Sequence, residues 1–257
     1  MTIHHLNCGT LRPYHPAVKS LNYCLLVETN QGLVLIDTGF GTRDYLAPSL
    51  GMRVFLALVG SPGNLEETAL HQVRRSGYEQ SDVKHIVLTH LHIDHAGGLP
   101  DFPDAQVHLT RTEFDSLGKP GKILERGRLK EHFLHTPKWV AHEDVREKWL
   151  GMDAIPILGD LEPQIYLVPL PGHTQGHTGV AIQTDCGWIL HCGDAINRYF
   201  KSADPTRPDW RPPGFFVRYL VGENGQRLRA IMKEHGKHVD LISSHDGISF
   251  RRYGGIL

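Results

Sequence analysis

The sequence predicts an α/β (α+β) chain in which two facing sheets are covered by helices on their outer sides, built from two similar halves. Three observations carry this expectation. A hairpin pattern that ends on an aspartate occurs twice, once early and once late in the chain. Strand-like and helix-like stretches alternate between and after these hairpins, the arrangement that layered sheets and helices require. No Pro/Gly/Ser-rich linker divides the 257 residues, so a single domain over 1–257 is expected, long enough to bury a substantial core.

The first hairpin runs from Asn22 to Gly39, where two aliphatic and β-branched runs flank the turn Asn30-Gln31-Gly32 and the second run ends at Asp37. Leu65 to Gly77 has helical spacing and a glycine stop, and His85 to Thr89 reads as a short buried strand. Val107 to Thr110 is a further strand, and Arg111 to Leu117 opens a helix. The stretch 120–150 is rich in Lys and Glu and is broken by Pro137, so helices outside the central core are expected there. Ile165 to Leu170 is a strand. Thr178 to Asp194 repeats the first hairpin, with Asp185-Cys186-Gly187 as its turn. Gly225 to His235 is an amphipathic helix and Val239 to Ser243 a last strand. Gly41 to Asn64, which contains an apolar run, and Arg198 to Gly222 read as long loops of the kind that cover active sites.

Composition narrows the partners. A formal net charge of −1, with no Lys/Arg block, offers no field for gathering nucleic acid or anionic lipid. No apolar run is long enough to span a bilayer and the first ten residues lack a secretion leader, so a cytoplasmic location is expected. Cys8, Cys24, Cys186 and Cys192 form no C-x-x-C pair and read as reduced residues in or near the core.

The informative number is 18 histidines, because several are grouped. Thr89-His90-Leu91-His92-Ile93-Asp94-His95-Ala96-Gly97-Gly98 follows a strand directly. In extended chain His90 and His92 point to one side, while Asp94 and His95 start the next turn and face elsewhere. Two neighbouring metal positions follow, since imidazole nitrogen and carboxylate oxygen are donors suited to zinc and its borderline relatives. One loop cannot close two metal shells, so further donors must come from later strand ends. His173 sits among glycines in Pro171-Gly172-His173-Thr174-Gln175-Gly176-His177, Asp194 ends the second hairpin, and His245 follows the last strand. Taken singly, these three also read as a turn residue, a helix cap and a buried hydrogen-bonding histidine.

Together the pattern H-x-H-x-D-H, a later histidine, an aspartate and a final histidine resembles the metallo-β-lactamase superfamily, from Leu35-Ile36-Asp37-Thr38-Gly39 to His245. The resemblance implies a four-layer αββα sandwich and two divalent metal ions. His90, His92 and His173 would hold the first ion, Asp94, His95 and His245 the second, and Asp194 would bridge them. Zinc suits these donors, and manganese, iron or cobalt are also accepted by them. Asp37 would orient ligands through hydrogen bonds, a strand-end cap being the plainer reading, and His177 would orient a ligand or contact substrate.

Departures within the superfamily select among activities. The best-known zinc β-lactamases carry Cys where Asp194 stands, the di-iron flavoproteins carry Glu where His92 stands together with a flavin domain, and RNA-processing members add a basic arm or domain. What remains is hydrolysis of a small ester, thioester or lactone by a metal-bridging hydroxide, with Asp94 as the catalytic proton carrier or, alternatively, as a ligand only while solvent supplies the proton. The chain is most similar to N-acyl homoserine lactone lactonases. Their tyrosine three residues after the bridging aspartate is replaced here by Asn197, so either Tyr199 substitutes from a shifted loop or the substrate differs. Glyoxalase II is the alternative thioesterase; its glutathione-binding C-terminal extension has too little chain here. Readings from other classes are a non-catalytic metal-binding domain and a mononuclear iron persulfide dioxygenase using His90, His173 and Asp194. Tyr45 to Leu58, with Tyr45 and Phe55, fits an apolar wall for an acyl chain or the interface of a homodimer.

Overall fold

The computed structural model describes residues 2–12, 20–117, 130–143, 147–196 and 224–256. Within them, strands alternate their side chains between two faces, and that period of two builds the layers. On β1 (Ile3–Leu11), β2 (Ser20–Thr29) and β3 (Gly32–Ile36), one set of side chains, including Leu21, Tyr23, Leu25, Val27, Val34 and Ile36, enters a core between the sheets. Cys24, Leu26, Leu33 and Leu35 point the other way, into a core under α3 (Ala69–Arg75).

The first sheet continues through β4 (Val83–Val87), β5 (Gln106–Thr110) and β6 (Lys138–His142), in the order β1-β2-β3-β4-β5-β6. Its first two pairings are antiparallel and the rest parallel. The second sheet contains β7 (Glu147–Trp149), β8 (Met152–Pro156), β9 (Ile165–Pro169), β10 (Thr178–Thr184), β11 (Gly187–His191) and β12 (Val239–Ile242), in the order β12-β11-β10-β9-β8-β7. Ile155, Leu167, Val180, Ile182 and Ile189 face the first sheet, while Val168, Ala181 and Leu190 pack outward with Leu228 and Ile231 of α6 (Asn224–His235). The result is helix, sheet, sheet, helix.

The two halves match in detail. Each presents an antiparallel hairpin, β2-β3 or β10-β11, whose second strand pairs in parallel with a later strand, β4 or β12. Asp37 and His90 therefore leave one sheet as Asp194 and His245 leave the other.

Several expectations need correction. Gly41 to Asn64 is not a loop: it forms α1 (Thr42–Leu46) and α2 (Leu50–Val59), the latter capped by Ser49, whose side chain accepts from Met52 N, and closed by Gly60 at φ 63°. One face of α2 supplies Met52, Phe55, Leu56 and Val59 to a small core with Leu11, Phe40, Ile93 and Tyr45. The described part of 120–150 is chiefly strand, β6 and β7, preceded by one 3-10 turn at Lys130–Phe133, and not helix. The helix expected over Leu65 to Gly77 is a 3-10 turn followed by α3, with Thr68 as the N-cap of α3, and α5 (Arg111–Phe114) stops short of Leu117. Cys8, Cys24 and Cys192 are buried, but Cys186 is exposed; all four are free thiols. Arg198 to Gly222, with Asn197 and Tyr199, lies outside the described residues. No helix among the described residues is long and apolar enough to cross a membrane.

Candidate metal centre

The strand ends converge at one rim of the sandwich. β4 runs into Thr89-His90-Leu91-His92, and α4 (Ile93–Ala96) then turns Asp94 and His95 to a different direction. His173 arrives from the turn after β9, Asp194 from the end of β11 and His245 from the end of β12. All seven side chains expected from the sequence fall into three overlapping groups: His90, His92 and His173; His90, His95 and Asp194; Asp94, His95 and His245. Within each, the donor atoms lie inside 4.8 Å of one another.

Donors gather on two sides of Asp194, and the group of His90, His95 and Asp194 spans them. His92 Nδ1 and His173 Nε2 are 2.9 Å apart on one side. On the other, His245 Nε2 and His95 Nε2 lie 3.7 and 3.8 Å from Asp94 Oδ2. Asp194 turns one oxygen to each half: Oδ2 is 3.4 Å from His173 Nε2, and Oδ1 is 3.4 Å from His245 Nε2 and 3.6 Å from His95 Nε2.

The same atoms pass the test of fitting a metal. Among the described residues His90 Nε2, His95 Nε2 and Asp194 Oδ1 are buried without a hydrogen-bond partner, which costs free energy unless an ion takes the place of one. The far nitrogens are occupied: His95 Nδ1 lies 2.8 Å from Asp37 Oδ2, His90 Nδ1 3.1 Å from Thr89 Oγ1, and His245 Nδ1 donates to Leu21 O at 2.9 Å. Such partners set ring orientation and leave Nε2 for the ion.

Electrostatics separate the donors: some imidazoles are held neutral, while those facing the carboxylates are held toward the charged form. Burial, and then the neighbouring imidazoles His95, His92 and His173, hold His90 well below the ordinary histidine range, in the neutral form a ligand needs. Burial also pulls His173 down. Burial opposes ionisation of Asp194, yet His245, His95 and His173 together keep its carboxyl well below the usual range. Burial works against the charged form of His95 too, but the carboxylates of Asp194, Asp94 and Asp37 outweigh it and raise that imidazole well above its usual value.

Asp37 sits at φ 54°, a left-handed conformation that aspartate tolerates better than most residues. Its carboxylate accepts from Thr89 N and Thr89 Oγ1, each at 2.8 Å, besides meeting His95. His177 lies in none of the donor groups. Its Nδ1 donates to Leu170 O at 3.1 Å and its Nε2 accepts from Asp194 N at 3.0 Å, so it fixes the backbone that carries Asp194. Gly193, at φ 52°, permits this contact, because a Cβ there would overlap the His177 ring. Tyr45 and Phe55 meet Phe40 edge-on, with centroids 5.9 and 6.2 Å away, in the small core that includes Ile93 of the metal loop.

Three supporting residues escaped the sequence reading. His191 accepts from Gly193 N at 3.2 Å and donates to Tyr23 O at 2.7 Å. Asn224 donates to Leu170 O and Pro171 O at the base of the His173 turn. Glu113 accepts from Leu91 N at 3.1 Å and Thr174 Oγ1 at 2.7 Å. The only sequence signal for Glu113 is its place in Thr110-Arg111-Thr112-Glu113, a capping-box pattern that opens α5.

A model of the metallo-β-lactamase superfamily matches residues 19–245. The chain belongs to the metallo-β-lactamase superfamily. Among relatives of this superfamily member, a probable metallo-hydrolase of Mycobacterium tuberculosis is 44% identical over 252 residues, covering 95% of this chain and 80% of that protein. An N-acyl homoserine lactonase of Bacillus thuringiensis is 30% identical over 183 residues, covering 67% and 63%. The crystal structure of a B. thuringiensis AiiA mutant with N-decanoyl-L-homoserine bound at its active site shares the fold, with TM-score 0.70, 22% identity and coverage of 98% and 95%. This metallo-β-lactamase superfamily chain is thus a metal-dependent hydrolase, built on the αββα sandwich expected of it.

Proposed function

We propose that this hydrolase opens a small lactone of the N-acyl homoserine type, using two divalent ions, zinc foremost, held across Asp194. The observation that carries the two-ion reading is the split of the Asp194 carboxylate, one oxygen toward His173 and the other toward His95 and His245. Kinship with N-acyl homoserine lactonases supports the lactone.

Two ions in such a site supply Lewis acidity and a water acidic enough to act as a nucleophile near neutral pH. His90, His92 and His173 hold one ion and Asp94, His95 and His245 the other. The side chains of Asp94 and Asp194 are 16% and 14% exposed against 2% for Asp37, so both open toward the mouth of the site, and Asp194 is the one turned to both halves. Asp94 takes the proton given up by the nucleophile and returns it to the departing oxygen when the ring opens, the role of a general base and then acid. Asp37 and His177 keep His95 and Asp194 in place while this happens. Half-buried Tyr45 and Phe55, backed by the buried Phe40, border the metal loop through Ile93 and offer an apolar wall to the acyl chain. Tyr199 falls outside the described residues and its part in substrate binding is tested by substitution alone.

The test is a pH-indicator assay of zinc-loaded protein on lactones of graded acyl length and on thioesters, with His90→Ala as control. Metal-dependent lactone turnover, lost in His90→Ala and rising with acyl length, is expected. Turnover of thioesters alone would replace the lactone, and full activity in metal-free His90→Ala would defeat the metal mechanism.

A further inference from the structure

We propose that Glu113 is a positioning residue dedicated to the first metal position, clamping the two loops that carry His90, His92 and His173. The inference rests on the two-ion reading above.

The side chain of Glu113 is buried, 1% exposed, and both carboxylate oxygens reach across to ligand-bearing backbone. Oε1 accepts from the N–H of Leu91, the residue between His90 and His92. Oε2 accepts from the hydroxyl of Thr174, the residue after His173. One carboxylate, 22 residues after Leu91 and 61 before Thr174, thus joins two distant segments, and each bond falls next to a donor of the same group. The turn is seated on the same short helix by two more features. Thr110 Oγ1 donates to Gly176 O at 2.8 Å, and a Cβ on Gly176 would overlap the backbone of Glu113.

Asp37 reaches the second position through the His95 ring, and through Thr89 it also braces the residue before His90, whose Nδ1 lies 3.1 Å from Thr89 Oγ1. The two buried carboxylates meet at His90 and otherwise differ: Glu113 holds the first group by backbones and neighbours, while Asp37 holds His95 by its ring and the start of the His90 segment through Thr89. Bonds to charged acceptors are short and strong, and residues behind metal ligands typically govern affinity by about 10–100-fold. Both the Leu91 and the Thr174 bonds fall beside donors of the first group, so their loss acts first on one ion.

The experiment compares wild type, Glu113→Ala, Glu113→Gln and Asp37→Ala. Cobalt(II) is titrated against a competing chelator, and amide hydrogen exchange at Leu91 is followed in the metal-free proteins. Glu113→Ala is expected to weaken one of two binding steps by about 10–100-fold, leave the other within about twofold, and speed exchange at Leu91. Asp37→Ala, which loses both the His95 and the Thr89 contacts, is expected to weaken both steps. Glu113→Gln restores most of the affinity, since its amide oxygen still accepts from Leu91 and its NH2 donates to Thr174. For Glu113→Ala, unchanged affinities with unchanged exchange, or equal losses at both steps, would overturn the proposal. If wild type takes up a single ion, the two-ion reading fails, and exchange at Leu91 decides the clamp: faster in Glu113→Ala supports it, and no change overturns it.

Discussion

A buried imidazole with both nitrogens committed acts as a strut, and His177 is one. It is 1% exposed, donates to Leu170 O, accepts from Asp194 N, and is driven down to about 3 by burial and then by His173. Replacing it with Leu leaves the Asp194 N–H buried without that acceptor, a loss of about 1–3 kcal/mol. Urea unfolding of the metal-free His177→Leu protein should report that loss, and the zinc-loaded variant should be slower as well; wild-type stability would show that the strut bears nothing. At this scale the seven metal-site candidates were legible because four of them crowd into six residues and the others follow strand ends. Glu113, His191 and Asn224 were not, because their partners are distant in sequence. Leu91 is 22 residues from Glu113, and Tyr23 is 168 from His191. A glutamate at a helix start looks the same whether it caps its own helix or holds a metal loop.

Among the elements, the inner face of the first sheet carries a diagonal run of histidines. His85 Nδ1 lies 3.0 Å from His108 Nε2, and His108 Nδ1 lies 3.0 Å from His142 Nε2. Burial, with His142 and His85 beside it, lowers His108 to about 3. In the unfolded chain the same group titrates near 6.5. Between pH 6.5 and about 3 the unfolded chain therefore binds a proton that the fold does not. The stabilisation is complete above pH 6.5 and declines as pH falls, by about 1.4 kcal/mol per pH unit for one such histidine. His108→Leu should flatten the fall in urea-derived stability between pH 6 and 4 by about that amount, and an unaltered slope would contradict the assignment. Interior strands were legible because their runs are aliphatic. The edge strands β6 and β7 were not, since each lies at the rim of its sheet and carries charge there, as edge strands do, which imitates a solvated helix. Helix α2 escaped for the opposite reason. Leu50, Val54 and Leu58 are exposed while Met52 is buried, so its apolar residues surround the helix and leave no contrasting stripe.

For the molecule as a whole, duplication is what creates a two-part site. Two hairpins and two following parallel strands bring Asp37, His90, Asp194 and His245 to one rim, from sheets whose inner faces share a core. That plan was visible in the repeated hairpins, whereas the facing of the sheets depends on contacts between Val34, Ile36 or Val87 and Ile155, Leu167 or Val180 that no local pattern encodes. Each half delivers part of the donor set, and Asp194 stands between them with an oxygen for each. The most direct measurement is anomalous diffraction at the zinc edge from a zinc-loaded crystal. Two peaks about 3.5–4 Å apart, one beside His90, His92 and His173 and the other beside Asp94, His95 and His245, with Asp194 between, are expected. A single peak, or two that do not share Asp194, would contradict the two-ion centre.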